Sequence, residues 1–163
     1  MQRSYTAITP AFGRYKAGIC SIYIAPKEWI TNLPDPLFAT GIITTAPTFE
    51  EDRAWLQLEL TEPSYEYDEK PKTAKAGPFF DIVAEGVIND ITPALQQTLE
   101  TYRYHQFMAL VKDRQGQYKI VGTPTEGMEL AYRNLQNNDS GGQQRVSITL
   151  TMSTVAAPPF YNV

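Results

Sequence analysis

Cys20 and His105 are the single cysteine and the single histidine of the chain. A thiol beside an imidazole is the arrangement of a cysteine nucleophile with its general base, so a catalytic pair is one hypothesis. Cys20 lies in the apolar stretch AGICSIYIA, however, where a small buried thiol is common, and we expect a core residue there. One cysteine and one histidine can neither form a disulfide within the chain nor complete a zinc site.

Short catalytic and phosphate-binding motifs are absent from the sequence. It contains no GxxxxGK, GxGxxG, GxSxG or HExxH pattern. Pairs of Asp and Glu for general acid and base chemistry stay open, because the sequence does not give their separation in space. These carboxylates cluster in polar, loop-like segments, where an ordinary pKa is the default. We therefore predict a chain that is not an enzyme and has no catalytic residue, cofactor or metal ligand.

The stretch FMALVKDRQGQYKIVGTP, residues 107–124, places a charged reversal between two apolar runs. Asp is favoured at the first position of a type I turn, and Gly supplies the left-handed residue that closes such a turn. Asp113 and Gly116 are therefore predicted to fix a hairpin between strands at 107–111 and 118–121. Gly122, with the Thr and Pro that follow it, is predicted to end the second strand.

Composition favours one globular domain over residues 1–163. Hydrophobic residues make up 42% and charged residues 20% of the chain, and the net charge is −4. A negative balance argues against a nucleic-acid binder, because phosphate neutralisation needs a basic face. Eight acidic residues lie between positions 50 and 69, which indicates a solvated face or a surface for a basic partner. No apolar run is long enough for a membrane helix, and the N-terminus has no signal-peptide pattern.

Alternating and β-branched segments predict a mainly β protein with one α-helix, an α+β fold. Thr92 suits a helix N-cap and Pro93 the first helical position, while Leu95, Leu99 and Tyr102 form one apolar stripe. We expect an antiparallel β-sandwich or barrel with this helix on its flank. Beyond the hairpin, strands are predicted at residues 19–25, 41–46, 55–61, 79–87, 128–133 and 145–153.

Residues 62–78 (EPSYEYDEKPKTAKAGP) are rich in charge and proline and have no aliphatic side chain larger than Ala. They are predicted to form a long loop, or a hairpin arm without a core of its own. Tyr65 and Tyr67 share one face if the arm is extended, and two rings on a polar arm suit an interface. With Pro71 they are our candidate interface residues on the arm; the alternative is a mobile linker.

Several of these elements together resemble the tail-tube-like structural proteins of phages and prophages, notably of Bacteroides-type bacteria. The first part is the strand with Val111, Lys112 and Asp113, then Gly116 and Tyr118, then Val-Gly-Thr at 121–123. A polar Gly-rich loop follows, then an alternating Thr-rich strand at 146–152, and the chain ends with Pro-Pro-Phe-Tyr at 158–161. The N-terminal AGICSIYIAPKEWI is similar to the opening strand of the same group.

The resemblance implies a subunit that self-associates as a homo-oligomer, with six copies closing into a hexameric ring and rings stacking into a tube. DNA passes through the lumen of such a tube without sequence-specific binding, which suits an acidic, hydroxyl-rich sheet face. The arm at 62–78 and flexible, apolar termini, including Phe160 and Tyr161, are expected to contact other subunits or other tail proteins. The expected location is the host cytoplasm before assembly and the virion tail afterwards, with no membrane partner.

A second hypothesis is a small-ligand-binding β-barrel module or an uncharacterised enzyme. It follows from the aromatic content of 12% and from the frequency of ligand sites in barrels.

Overall fold

The computed structural model of the chain describes residues 18–61, 64–89, 91–135 and 144–162. Within these ranges it consists mainly of β-strands and has one α-helix, which confirms the predicted α+β class. The strands are β1 (Ile19–Pro26), β2 (Ile30–Asn32), β3 (Ile42–Ile43), β4 (Thr48–Phe49), β5 (Leu56–Leu58), β6 (Glu66–Ala74), β7 (Gly77–Asn89), β8 (Gln106–Asp113), β9 (Tyr118–Val121), β10 (Met128–Leu135), β11 (Arg145–Thr154) and β12 (Phe160–Tyr161). The helix is α1 (Pro93–Tyr102), and a short 3₁₀ turn occupies Lys27–Trp29.

Four long strands form one antiparallel layer in the order β6, β7, β11, β10. Side chains alternate between its two faces, as a pleated strand requires. On β11, Val146, Ile148 and Leu150 are buried, as predicted from the alternation of this segment. One face of the layer is therefore apolar and the other is polar.

The second layer is built around β8. β1 pairs along nearly the whole of one edge of β8, and β5 pairs with the far side of β1. The other edge of β8 pairs with β9 and, through Met128 opposite Phe107, with the start of β10. Because β10 also pairs with β11, it joins the two layers into one continuous sheet.

β8 is buried on both faces, which explains why its sequence is an unbroken apolar run. Phe107, Ala109 and Val111 belong to the core between the two layers. Met108 and Leu110 belong to a second core on the opposite face. A large apolar side chain contributes about 1.5–3 kcal/mol when fully buried, so both faces of this strand stabilise the fold.

The single helix follows the prediction closely. The Thr92 hydroxyl accepts a hydrogen bond from the Leu95 amide at 3.2 Å, and Pro93 begins the helix. Leu99 is buried, and Leu95 and Tyr102 pack against the core between the layers. The apolar stripe thus fixes the helix to the sheet.

Two predicted strands are shorter than their sequences indicate. The strand expected at 41–46 is limited to Ile42–Ile43, and the one expected at 55–61 to Leu56–Leu58. After β5 the chain crosses to the other layer, where the Thr61 amide donates to the Val87 carbonyl at 2.7 Å. The alternation of apolar and polar residues continues through this crossing, where Leu60 is buried against Gly86. In this segment the alternation therefore indicates burial and not strand pairing.

Candidate assembly surface

The predicted arm is the hairpin of β6 and β7. The sequence left open a loop or a hairpin arm within residues 62–78. The structure instead makes residues 66–74 one strand of a hairpin whose second strand is β7, and residues 62 and 63 lie outside the described ranges. The chain reverses at residues 75–76 and Gly77 follows with φ of +122°, a conformation that favours glycine. β11 ends its pairing opposite Phe80, so the tip of the hairpin projects by about 10 Å beyond its neighbour. Residues 70–76 are all exposed.

Tyr65 anchors the start of the arm within the chain. Its hydroxyl accepts a hydrogen bond from the Leu60 amide at 3.2 Å and lies 3.4 Å from the Leu58 carbonyl, to which it donates. The ring packs against the core between the layers. The side chain thus satisfies backbone groups where the chain crosses from β5 to β6.

Tyr67 and Glu69 form a polar cluster with Lys119 between the layers. The Tyr67 hydroxyl donates to Glu69 Oε1 at 2.5 Å, and Lys119 Nζ donates to the same oxygen at 2.7 Å. The side chains of Glu69 and Lys119 are only 19% and 26% exposed. Burial raises the pKa of Tyr67 far above its ordinary value, and the hydrogen bond and the negative charge of Glu69 raise it further.

Phe160 joins this cluster from the C-terminal strand. Lys119 Nζ lies 4.8 Å from the centre of the Phe160 ring, within the range of a cation–π contact. Tyr67, Lys119 and Phe160 line a cavity of about 230 Å³ together with apolar side chains of β1 and β8, Ile19 and Val111. The structure therefore brings two of the predicted interface residues, Tyr67 and Phe160, to one place.

The C-terminal segment is a strand, not the flexible end that we expected. β12 lies between β3 and β9, parallel to the first and antiparallel to the second. Tyr161 packs edge-to-face on Tyr118 with 6.4 Å between ring centres, and burial raises the pKa of Tyr161. The prolines at 158 and 159 precede the two paired residues, which is how a proline-bearing tail enters a sheet. The N-terminal end falls outside the described residues.

Pro71 lies apart from this cluster, on the exposed length of β6. It pairs with Phe80 of β7, and β6 has no second strand neighbour among the described residues. Proline in a sheet is confined to edge strands, bulges and strand starts, because it has no N–H to donate. The open edge of β6 is thus the exposed part of the predicted interface.

The polar face of the four-stranded layer is rich in hydroxyls and charges. It carries Glu66, Asp68, Lys70 and Lys72 from β6, Phe79, Asp81, Val83, Glu85, Val87 and Asn89 from β7, Arg145, Ser147, Thr149, Thr151 and Ser153 from β11, and Glu129, Ala131, Arg133 and Leu135 from β10. Asp81 forms an ion pair with Lys72 and accepts a hydrogen bond from Ser153 at 2.6 Å. The hydrogen bond from Lys72, followed by that from Ser153, holds the pKa of Asp81 below its ordinary value.

The hairpin of β8 and β9 is closed by Asp113. Its Oδ1 accepts hydrogen bonds from the amides of Gln115 at 2.8 Å and Gln117 at 2.9 Å. Gly116 follows with φ of +86°. Gly122 has φ of +92°, and a Cβ there would lie 3.2 Å from the Glu126 carbonyl oxygen. The positive φ angles of Gly116 and Gly122 and the turn hydrogen bonds of Asp113 explain why these residue types occur at these positions.

Cys20 and His105 are not neighbours. β1 and β8 are antiparallel, with Ile19 opposite Asp113 and Pro26 opposite Phe107, so the two residues lie at opposite ends of the pair, about 20 Å apart. Cys20 is half-buried rather than a full core residue, and its thiol donates to the Asp113 carbonyl at 3.3 Å. The antiparallel register thus excludes the catalytic pair.

The described part of the chain has neither a cluster of metal-binding side chains nor a helix that could span a membrane. There, no three His, Cys, Asp or Glu side chains are grouped closely enough to hold a metal ion. In the same residues, no helix has the length and apolar character to cross a membrane.

The sequence did not reveal the pairing of Glu69 with Lys119. These residues are 50 positions apart, and only the packing of β6 over β9 brings them together. A signal for the strand itself was present in EYDEKPK, where Tyr67 and Glu69 alternate with Glu66, Asp68 and Lys70. Its proline and its charges led to the prediction of a loop or an unsupported arm.

Comparison of the chain with protein-family models, with curated proteins and with solved structures gives no match.

Proposed function

We propose that the chain is a non-enzymatic structural protein of the phage or prophage tail that self-associates into rings or a tube. One observation carries the proposal: β6 is a nine-residue strand whose outer edge has no strand neighbour in the described part of the chain, and the hairpin that it forms with β7 projects beyond β11. An open strand edge is a ready template for pairing with another chain. Subunits that close into symmetric assemblies use such surfaces to complete their sheets.

The polar face of the four-stranded layer supports a role as the lining of a conduit. It presents the hydroxyls of β11 among more acidic than basic side chains. A lining of this kind holds phosphate weakly, because tight binding needs a surplus of Lys and Arg. DNA would pass such a face without sequence-specific contacts.

The partners in this proposal are five further copies in a hexameric ring and other tail proteins above and below it. The protein would be made in the host cytoplasm and would end in the virion tail. A neck, terminator or baseplate role is a variant of the same proposal.

The test is the mass of the purified protein over a wide concentration range. Sedimentation velocity and negative-stain electron microscopy are expected to show rings with six times the monomer mass. A strict monomer at high concentration, with no rings on the grid, would refute the proposal.

A second candidate is a small-ligand-binding module, and the cavity of about 230 Å³ beside Tyr67 and Phe160 favours it. Ligand pockets typically have volumes of about 300–1,000 Å³, so this cavity suits only a small molecule. Native mass spectrometry of the protein purified without denaturation distinguishes the two candidates. A bound small molecule on a monomer supports the second, and an unliganded oligomer supports the first.

A further inference from the structure

The charges along β6 have an order that makes the strand complementary to itself. Along the polar face, Glu66 and Asp68 are followed by Lys70 and Lys72. Two copies of β6 that run antiparallel with Glu69 at the centre place each Glu66 opposite a Lys72 and each Asp68 opposite a Lys70. Opposite charges directly across an antiparallel pair stabilise it, and like charges destabilise it.

We propose that the open edge of β6 pairs with β6 of a second copy in this register, across a two-fold axis at Glu69. The inference names the partner strand for the self-association in the proposed function, and it does not depend on a role in a tail. A two-fold contact joins subunits in pairs, so a closed ring needs a second, different contact.

The backbone of β6 has the correct orientation for this pairing. Pro71 and Pro78, which have no N–H, lie opposite Phe80 and Thr73 in the ladder with β7. We assign both of these residue pairs to the non-hydrogen-bonded positions of the ladder. The backbone N–H and C=O groups at the alternate positions of β6 then point to the open edge; these positions are Tyr67, Glu69, Pro71 (C=O only) and Thr73. In the proposed register Glu69 bonds Glu69 of the second copy, and the Tyr67 amide donates to the Pro71 carbonyl. The missing N–H of Pro71 removes one bond on each side.

The register is specific. A shift of two residues in one direction places Asp68 opposite Asp68, and a shift in the other direction places Lys70 opposite Lys70. Only the register centred on Glu69 opposes unlike charges at all four positions of the polar face. The edge therefore favours one alignment, as a specific contact requires.

Contacts inside one copy are compatible with the pairing. The ion pair of Asp68 with Lys70, at 2.8 Å, is formed by side chains that are 52% and 66% exposed, so its loss costs little. Lys72 keeps its ion pair with Asp81 of its own chain, and in the proposed register it also lies opposite Glu66 of the second copy, which faces Glu85 within that copy. On the inner face, Lys119 already neutralises each Glu69 at the two-fold axis.

Charge reversal tests the pairing. Asp68→Lys or Lys70→Asp alone replaces both Asp68–Lys70 contacts by like charges, and we expect the Kd of self-association to rise at least about tenfold. A mixture of the two variants forms a fully complementary pair and is expected to recover wild-type association, as is the double variant Asp68→Lys/Lys70→Asp. Sedimentation equilibrium at low salt measures all four, because the effect is screened at high salt.

A disulfide test reports the register directly. Glu66→Cys and Lys72→Cys, made in separate chains that both carry Cys20→Ala, are non-hydrogen-bonded neighbours in the proposed pair, at a Cα separation that a disulfide spans. Mild oxidation of the mixture is expected to give a covalent dimer, whereas either variant alone, with its cysteines about 20 Å apart across the axis, gives none.

The outcomes separate the two proposals. If the single charge variants associate as tightly as wild type, or the mixed cysteine chains do not cross-link, the β6 pairing is refuted while self-association stands. If the wild-type protein is monomeric, the charges and Pro71 protect the edge from pairing, and both the β6 contact and the proposed assembly are refuted.

Discussion

The contact of Leu60 with Gly86 holds the crossing from β5 to β6, and it yields a quantitative prediction. Leu60 is 8% exposed and lies directly on the glycine. A Cβ at position 86 would lie 2.3 Å from Leu60 Cδ1, 3.1 Å from Cγ and 3.3 Å from Cβ. An alanine there forces the leucine to move by about 1 Å to reach ordinary contact, and overpacking of this kind costs about 1–3 kcal/mol.

Leu60→Ala is expected to cost about 2–4 kcal/mol by itself, because it removes a buried side chain and leaves a cavity. In the double variant Leu60→Ala/Gly86→Ala the new methyl group enters the vacated space. The double variant should therefore be no less stable than Leu60→Ala, so the coupling free energy equals the cost of Gly86→Ala alone, about 1–3 kcal/mol. In a chain of this size 1 kcal/mol corresponds to about 2–4 °C in Tm.

Urea unfolding followed by tryptophan fluorescence measures the four free energies, since Trp29 and Trp55 report on the fold. Val83→Ala, on the polar face of β7, is a matched control that is expected to show additive effects with Gly86→Ala. Additive losses for Leu60 and Gly86, within about 0.5 kcal/mol, would refute the reasoning, because they would mean that the two side chains do not share this space.

Three further predictions follow from single groups. Asp113→Ala removes the acceptor of two turn amides and is expected to lower the free energy of unfolding by about 1–2 kcal/mol, measured by urea unfolding; Asp113→Asn, which keeps an acceptor oxygen, should lose less. The pKa of Asp81 is lowered in the folded state, so the ionised carboxylate stabilises the fold above pH 4, and this stabilisation is lost as the pH falls through the folded pKa. The difference in Tm between wild type and Asp81→Asn should therefore disappear at low pH. A difference that stays constant with pH would contradict this. Because the pKa of Tyr67 is raised in the folded state, the neutral phenol stabilises the fold below pH 10, and this stabilisation is lost as the pH rises further. The Tm of Tyr67→Phe should therefore fall less steeply than that of wild type at alkaline pH. Ultraviolet titration of the variant should show one fewer phenol that ionises late.

Much of the fold follows from local patterns in the sequence. Alternation located the buried face of β11, the N-cap and proline at residues 92 and 93 located the start of α1, and the turn chemistry of Asp113 located the hairpin of β8 and β9. These signals are readable because each depends on residues within a few positions of one another. The mainly β class with one helix was therefore predictable.

The candidate surface was only partly predictable. The sequence singled out Tyr65, Tyr67 and Pro71 on the arm, but it did not predict that both rings face the core or that the arm pairs with β7. A strand with a proline and many charges has the composition of a loop. Its own sequence contains few apolar residues, because the apolar groups that cover its inner face come from the other layer.

By itself the sequence determined the mainly β class with one helix, the start of α1, the turn between β8 and β9 and the apolar face of β11, since these depend on near neighbours. Only the tertiary structure decided that β8 is covered on both faces, that Cys20 and His105 lie apart, and that Glu69 meets Lys119. It also decided that β6 lies at the edge of its layer, where the order of its charges can align a second copy of the strand. Strand order and layer packing bring together residues that are far apart in the chain, and the pattern of neighbouring residues does not predict those contacts.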